Sequence, residues 1–284
     1  MSIQSRVCAA DYRALEALNI SRLKELSRSP QHYQYALTHP KVTKPLSLGT
    51  AAHCATLEPR RFLEEFTAWT RRSEKSGNLC PRTGQYWEDF CEENEGKTII
   101  TEDEYTVSRL MATAVRNDPV ALPYLQSGDP EVVMQWTNPR TGRECKGRVD
   151  WLSLRIDNDY SQPSIVGLKT TRDARPFQFG AQAAKLGYHL QWAWYHDGFQ
   201  TLRNISPRMI EIVVESAPPH AVVVYEIPDD VLLQGREEYE KLLDTLAVCE
   251  AKAAWPGPFA EVQTLTLPTW AYPGDDLAEL GLET

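Results

Sequence analysis

An aspartate and a lysine follow closely on two apolar runs, Gly147-Arg-Val-Asp150-Trp and Ile165-Val-Gly167-Leu-Lys169-Thr-Thr171. If those runs are adjacent β-strands, their polar groups aim at one point. A carboxylate there is a hard oxygen ligand suited to Mg2+, and a lysine beside it can orient a metal-bound water or help deprotonate it. Each residue alone has a plainer reading. Asp150 could be a turn or surface carboxylate, and Lys169 a strand-end amine reaching solvent. Only the pair points to chemistry.

The surrounding pattern supplies elements in the places this pair needs. Val132, Val133, Met134 and Trp136 predict a strand, 138–142 a turn, and 145–154 the returning strand. Residues 164–168 form a short apolar run that fits a buried strand. A helical region rich in aromatic residues runs from 176 to about 201, and strands over 209–215 and 221–227 flank the Pro218-Pro219 turn. A charged amphipathic helix over 230–254 precedes a Pro-rich extended tail. Upstream, Thr101 with Glu104 forms a capping box for a helix through Asn117. Ser21 reads as the N-cap of the helix SRLKELS, Pro30 as the first turn of the next, and Ser47 or Thr50 as the opening of LGTAAHCATL. Residues 68–98 are polar and punctuated by Gly and Pro, predicting loops with one short helix over 86–93. The order helix, three strands, helix, two strands, helix predicts an α/β fold: a central mixed β-sheet flanked by helices, with a helical embellishment in front. We expect one domain over 1–284, with a helical part over 1–100, the core over 101–227, and a final helix and tail over 228–284.

Composition narrows the function classes. The chain has 284 residues, 42% hydrophobic and 24% charged, enough to bury a core without staples. No apolar run approaches a membrane span of roughly 18 residues, and the start lacks the apolar core of a signal peptide. The six cysteines (Cys8, Cys54, Cys80, Cys91, Cys145, Cys249) include no C-x-x-C pair, which favours reduced thiols over zinc or disulfides and predicts a cytoplasmic protein. The net charge of −9 is unevenly spread: residues 1–53 carry seven Lys/Arg against three acids, 131–185 nine against six, and 226–284 three against thirteen. A polyanion could therefore meet a positive groove despite the acidic total. The acidic C-terminal helix by itself reads as a solvated face. GTAAHC is not a phosphate-binding P-loop, so ATP use is not expected.

The chain resembles the PD-(D/E)XK nuclease superfamily, specifically the phage-type exodeoxyribonucleases of the exonuclease VIII (RecE) kind. The resemblance runs through ISRLKELSRSPQHY, LSLGTAAHCATLEP, GRVDW, LKTTRDA, GYHLQWAWYHDGF and WPGP…LTLPTW. It implies a restriction-endonuclease-like core and hydrolysis of DNA with Mg2+, which Mn2+ can replace. On the family pattern Asp150 is the aspartate metal ligand, Lys169 the motif lysine, and His53 of Gly49-Thr-Ala-Ala-His53 the histidine beside the metal. Gln191 and Tyr195 match a QxxxY element that contacts DNA or braces the site, although packing of an aromatic helix explains them too. Tyr188 is a further candidate contact to DNA. Glu131 is a candidate further carboxylate ligand, with a sheet-edge glutamate as the alternative. Ser21, Arg22 and Lys24 match an N-terminal element that holds a 5′ phosphate in related enzymes, and Arg148 is a candidate phosphate contact. The resemblance further implies a homo-oligomeric ring around double-stranded DNA ends, a RecT-type annealing protein as partner, and a phage-infected or bacterial cell as the setting. An iron–sulfur variant of the superfamily would need clustered cysteines near the C-terminus, and only Cys249 is there.

One position departs from the pattern. Where the family has Asp or Glu two residues before the lysine, this chain has Gly167. That removes an acidic metal ligand and leaves the backbone carbonyl of Leu168. Asp157, Asp159 and Asp173 lack the spacing to replace it. Three accounts are open: a variant inactivated at the acid, a degenerate relative that binds DNA without cutting, or rescue by a carboxylate displaced to another position, such as Glu131. The intact remainder of the motif favours the first.

Overall fold

The computed structural model describes residues 2–5, 7, 9–39, 47–154 and 162–267. In chain order it contains β1 (Ser2–Gln4), α1 (Ala9–Ala14), β2 (Leu18–Asn19), α2 (Ile20–Leu23) with a 3-10 turn over Lys24–Ser27, and α3 (Pro30–Thr38). Next come α4 (Ser47–Leu57), α5 (Pro59–Glu65), β3 (Phe66–Trp69), α6 (Gln85–Glu93), β4 (Thr98–Thr101), α7 (Glu102–Asn117) and α8 (Leu122–Leu125). The core follows: β5 (Asp129–Thr137), β6 (Glu144–Ser153), β7 (Ser164–Thr171), α9 (Pro176–Leu186), α10 (Tyr188–Arg203), β8 (Arg208–Glu215), β9 (Val222–Glu226) and α11 (Asp229–Lys252).

Seven strands make one mixed, mostly antiparallel sheet in the order β1-β5-β6-β7-β8-β9, with β2 pairing β6 off that path. Strand β7 runs parallel to β8, and the other links along that order are antiparallel. Apolar residues on the two faces bury against different helices. Leu190, Ala193, Trp194, Leu243 and Leu246 of α10 and α11 pack with Val132, Met134 and Val149 on one face. On the other, Ala52 of α4 and Met111 and Val115 of α7 pack with Val166, Leu168, Ile210 and Ile212. The sheet is thus held between two helical layers, as expected of an α/β fold.

The capping box forms as predicted: Thr101 Oγ1 accepts from the Glu104 amide, and the Glu104 carboxylate accepts from the Thr101 amide. The helical region from 176 is divided at Gly187, whose φ of 63° ends α9 in the left-handed conformation. Ser21 is not a helix cap. Asn19 caps α2 instead, its side chain accepting from the Arg22 amide at 2.8 Å. Two parallel strands, β3 and β4, lie within the stretch expected to be loops or next to it, and pack Trp69 and Ile100 into small satellite clusters. Asp157 and Asp159 lie outside the described residues.

Candidate functional site

The site opens where β6 and β7 part. They pair only over Trp151–Ser153 against Ser164–Val166. One residue beyond that ladder, Asp150 and Gly167 no longer form a backbone pair, and β7 continues beside β8 alone. The Leu168 amide, left without a β6 carbonyl, donates to Asp150 Oδ2 at 2.9 Å. The divergence thus turns a side chain into the partner of a main-chain donor and fixes that carboxylate.

Three cationic or titratable groups meet the same carboxylate or its neighbour. Lys169 Nζ lies 3.5 Å from Asp150 Oδ2, and His53 Nε2, from α4, lies 3.2 Å from the same oxygen. The other ring nitrogen of His53 is 3.5 Å from Glu131 Oε1, and Glu131 Oε2 is 2.8 Å from Arg148 Nε. Glu131 sits between the pairs Pro130–Trp151 and Val132–Val149, so it faces Asp150 across the β5–β6 ladder. Its φ of 52° is left-handed, a conformation that costs a non-glycine residue roughly 1–3 kcal/mol and that clusters at functional sites. His53, Glu131, Arg148 and Asp150 line an open cleft of about 520 Å3 together with Ser21, Gln191 and Tyr195, and Lys169 lies behind Asp150, in a small hollow that shares this carboxylate.

The electrostatics follow from burial and charge. Burial opposes ionisation of Asp150, but Lys169, His53 and the Leu168 amide outweigh it and hold the carboxyl far below the usual range. Burial likewise opposes the Lys169 charge, and Glu211 and Asp150 overcome it, holding the ammonium well above its ordinary value. His53 is raised overall: Asp150 and Glu131 outweigh its desolvation. Glu131 is raised because burial exceeds the pull of Arg148 and His53. Burial pushes the Tyr195 hydroxyl up to about 12.

The remaining sequence candidates divide. Gln191 Nε2 donates to Tyr195 Oη at 2.9 Å, one turn apart on α10 at the cleft wall. The Tyr188 ring lies 5.4 Å from Lys169 Nζ and packs on the core. The Leu168 carbonyl stands 3.5 Å from Lys169 Nζ. Lys24 does not face the cleft: its ammonium donates to the carbonyls of Leu186 and Gly187 at 2.7 and 3.2 Å, bracing the end of α9. Arg22 borders a different depression, beside Glu144. Asp173 is taken by Arg175 at 2.6 Å.

Two residues escaped the sequence reading. Tyr12 lies under Arg148, its ring 5.5 Å from the guanidinium, and lines the cleft. Glu211 is buried on β8 in parallel register with Gly167. Its Oε2 accepts from the Trp192 indole at 2.5 Å and its Oε1 lies 3.5 Å from Lys169 Nζ. Burial, with Asp150 nearby, raises its carboxyl. The visible signal was an acid within the otherwise apolar run Met209-Ile-Glu211-Ile-Val-Val.

Among solved structures the chain resembles a protein of Eubacterium rectale provisionally named an exonuclease, with a TM-score of 0.56 and 13% identity over 93% of this chain and 97% of that one. That likeness shows a shared fold. The crystal structure of SSO0001 aligns more weakly, with a TM-score of 0.34 and 13% identity over 81% of this chain and 78% of that one. No curated protein matches the chain. The family model described as a PDDEXK-like domain of unknown function (DUF3799) matches residues 19–267, and the chain belongs to that family.

Proposed function

We propose that the protein is a Mg2+-dependent exodeoxyribonuclease that degrades linear double-stranded DNA 5′ to 3′ and leaves single-stranded tails for recombination. The observation that carries this reading is the convergence of Lys169, His53 and the Leu168 amide on the Asp150 carboxylate beside an open cleft. Membership of a PDDEXK-like family and the fold shared with the Eubacterium rectale protein support it. The proposal includes a homo-oligomeric ring around DNA ends and a RecT-type annealing partner, on the strength of the sequence resemblance alone, and a cytoplasmic setting, on the cysteine pattern. No helix among the described residues is long and apolar enough to cross a membrane.

The donor chemistry fits a hard divalent cation. Asp150 and Glu131 offer carboxylate oxygens, and Leu168 a carbonyl; these are the ligands Mg2+ takes. Among the described residues no three His, Cys, Asp or Glu side chains already form a ligand cluster, so cation binding draws on acids now paired with Lys169, His53 and Arg148. Bound there, Mg2+ or Mn2+ would supply Lewis acidity toward a phosphodiester and lower the pKa of water.

The protein's own groups do the rest. The Lys169 ammonium is fixed between two carboxylates and presents positive charge where negative charge grows on the phosphate. His53 spans Asp150 and Glu131 and sets their separation. Arg148 adds charge at the cleft, and Gln191 with Tyr195 gives its wall a polar edge for a nucleotide.

The test is release of nucleotides from linear duplex labelled at either 5′ or 3′ ends, with covalently closed circles as control. The sequence alone favours inactivation through Gly167, but with the Glu211 carboxylate beside Lys169 we expect Mg2+-dependent release from linear DNA alone, the 5′ label leaving first. Gly167 specifically favours a second reading, a DNA-binding protein that uses the nuclease fold without catalysis. Binding without release in Mg2+ or Mn2+ would establish that reading instead.

A further inference from the structure

We propose that Glu211 is the second acidic residue of this site, delivered from β8 into the space that a side chain at position 167 would take. There it fixes Lys169 with Asp150 and joins Asp150 in binding a divalent cation. The inference rests on the nuclease reading above for its purpose, but its geometry stands separately.

Paired residues of neighbouring strands present their side chains on the same face of the sheet, and Gly167 pairs with Glu211. A Cβ built on Gly167 would lie 2.5 Å from both carboxylate oxygens of Glu211. The acid therefore occupies the room that the absent side chain leaves. Lys169 Nζ stands 3.5 Å from Glu211 Oε1 and 3.5 Å from Asp150 Oδ2, so one ammonium is shared evenly by the two acids.

Glu211 is 1% exposed, and its Oε1 has no hydrogen-bond partner. Glu211 also lines a hollow of about 10 Å3, together with Asp150, Gly167, Lys169, Gln191 and Tyr195. Such a volume holds about one water-sized particle. The hollow shares Asp150, Gln191 and Tyr195 with the open cleft, so the buried acid lies next to the proposed reaction site.

Folding alone gives no reason for this charge. Ile210, Ile212, Val213 and Val214 around it are buried and apolar, and a buried carboxylate is costly unless paired. A glutamine would accept the Trp192 bond as well. Gly167 is then the condition that admits Glu211 rather than a simple loss.

The experiment is Mn2+ titration of the full chain by calorimetry, with nucleotide release measured in parallel. Glu211→Gln, nearly isosteric, should bind Mn2+ about 10-fold more weakly or worse while remaining folded at the temperature of the titration. Gly167→Asp alone should also weaken binding, because its side chain collides with Glu211. The double variant Gly167→Asp/Glu211→Ala, which moves the acid back across the ladder, should recover affinity to within a few-fold of the unaltered protein.

Undiminished Mn2+ binding by Glu211→Gln overturns the proposal. So does a gain of affinity in Gly167→Asp with Glu211 intact, or an unaltered protein that takes up no Mn2+. If Mn2+ binding follows the expected pattern but no DNA is cut, Glu211 stands as the second acid and the nuclease reading falls.

Discussion

Gly167 and Glu211 face each other across the parallel β7–β8 ladder, and the first can gain no side chain while the second keeps its carboxylate in place. Gly167→Asp should therefore destabilise the fold by about 1–3 kcal/mol, the usual cost of overpacking, with like-charge repulsion added. Glu211→Ala in the same chain should relieve most of that loss. Urea denaturation of the two single variants and the double variant checks it, and simple additivity would contradict the clash.

Asp150 is the hub through which Lys169, His53 and Leu168 are positioned. Asp150→Asn can still accept the Leu168 amide but loses the charge that holds Lys169 and a cation. We expect nucleotide release to fall by about 100-fold or more, with duplex binding retained within a few-fold. A variant that cuts normally would remove Asp150 from the chemistry.

Helices α10 and α11 meet closely at Gly235, where an added Cβ would fall on the His189 carbonyl. The neighbour is backbone and cannot rotate away. Gly235→Ala should cost about 1–3 kcal/mol or more, read as a lower melting temperature, and should leave the cleft chemistry intact once folded. An unchanged melting temperature would mean that the two helices part without cost.

Asp197 ties the same two helices together, accepting from Arg236 at 2.5 and 2.7 Å and from Tyr239 at 2.5 Å. Against its burial, these bonds and His196 hold the carboxyl at about 2, below the ordinary 3.8. A depressed carboxyl stabilises above its unfolded value and loses that contribution as pH falls through the folded value. The network should thus contribute about 2 kcal/mol above pH 4 and fade between pH 4 and pH 2. Urea midpoints at pH 6, 4 and 3 should fall less steeply in Asp197→Asn than in the unaltered protein.

Salt dependence separates phosphate contacts from braces. Arg148 lies at the cleft, whereas Lys24 is committed to the end of α9. Arg148→Ala should reduce the log–log salt slope of duplex binding by about 1. Lys24→Met should leave that slope alone and lower stability. The reverse result would move the DNA track toward the N-terminal helices.

What the sequence determined was local. The Thr101–Glu104 box, the 138–142 turn and the alternating strands were legible because each depends on residues a few positions apart. The segments around GRVDW and LKTT each read as a strand for the same reason, which put Asp150 on β6 and Lys169 on β7. Ser21 misled because it and Asn19 are both competent caps, and only the path from β2 into α2 decides which backbone is free to be capped.

Tertiary structure alone decided how the site is completed. His53, Glu131, Asp150, Lys169 and Glu211 come from α4, β5, β6, β7 and β8. Their meeting depends on strand order, on the parting of β6 from β7, and on the parallel register that sets Glu211 against Gly167. A glycine and a glutamate 44 positions apart carry no mutual signal along the chain. They become one feature only when the sheet lays their strands side by side and the small residue leaves room for the large one.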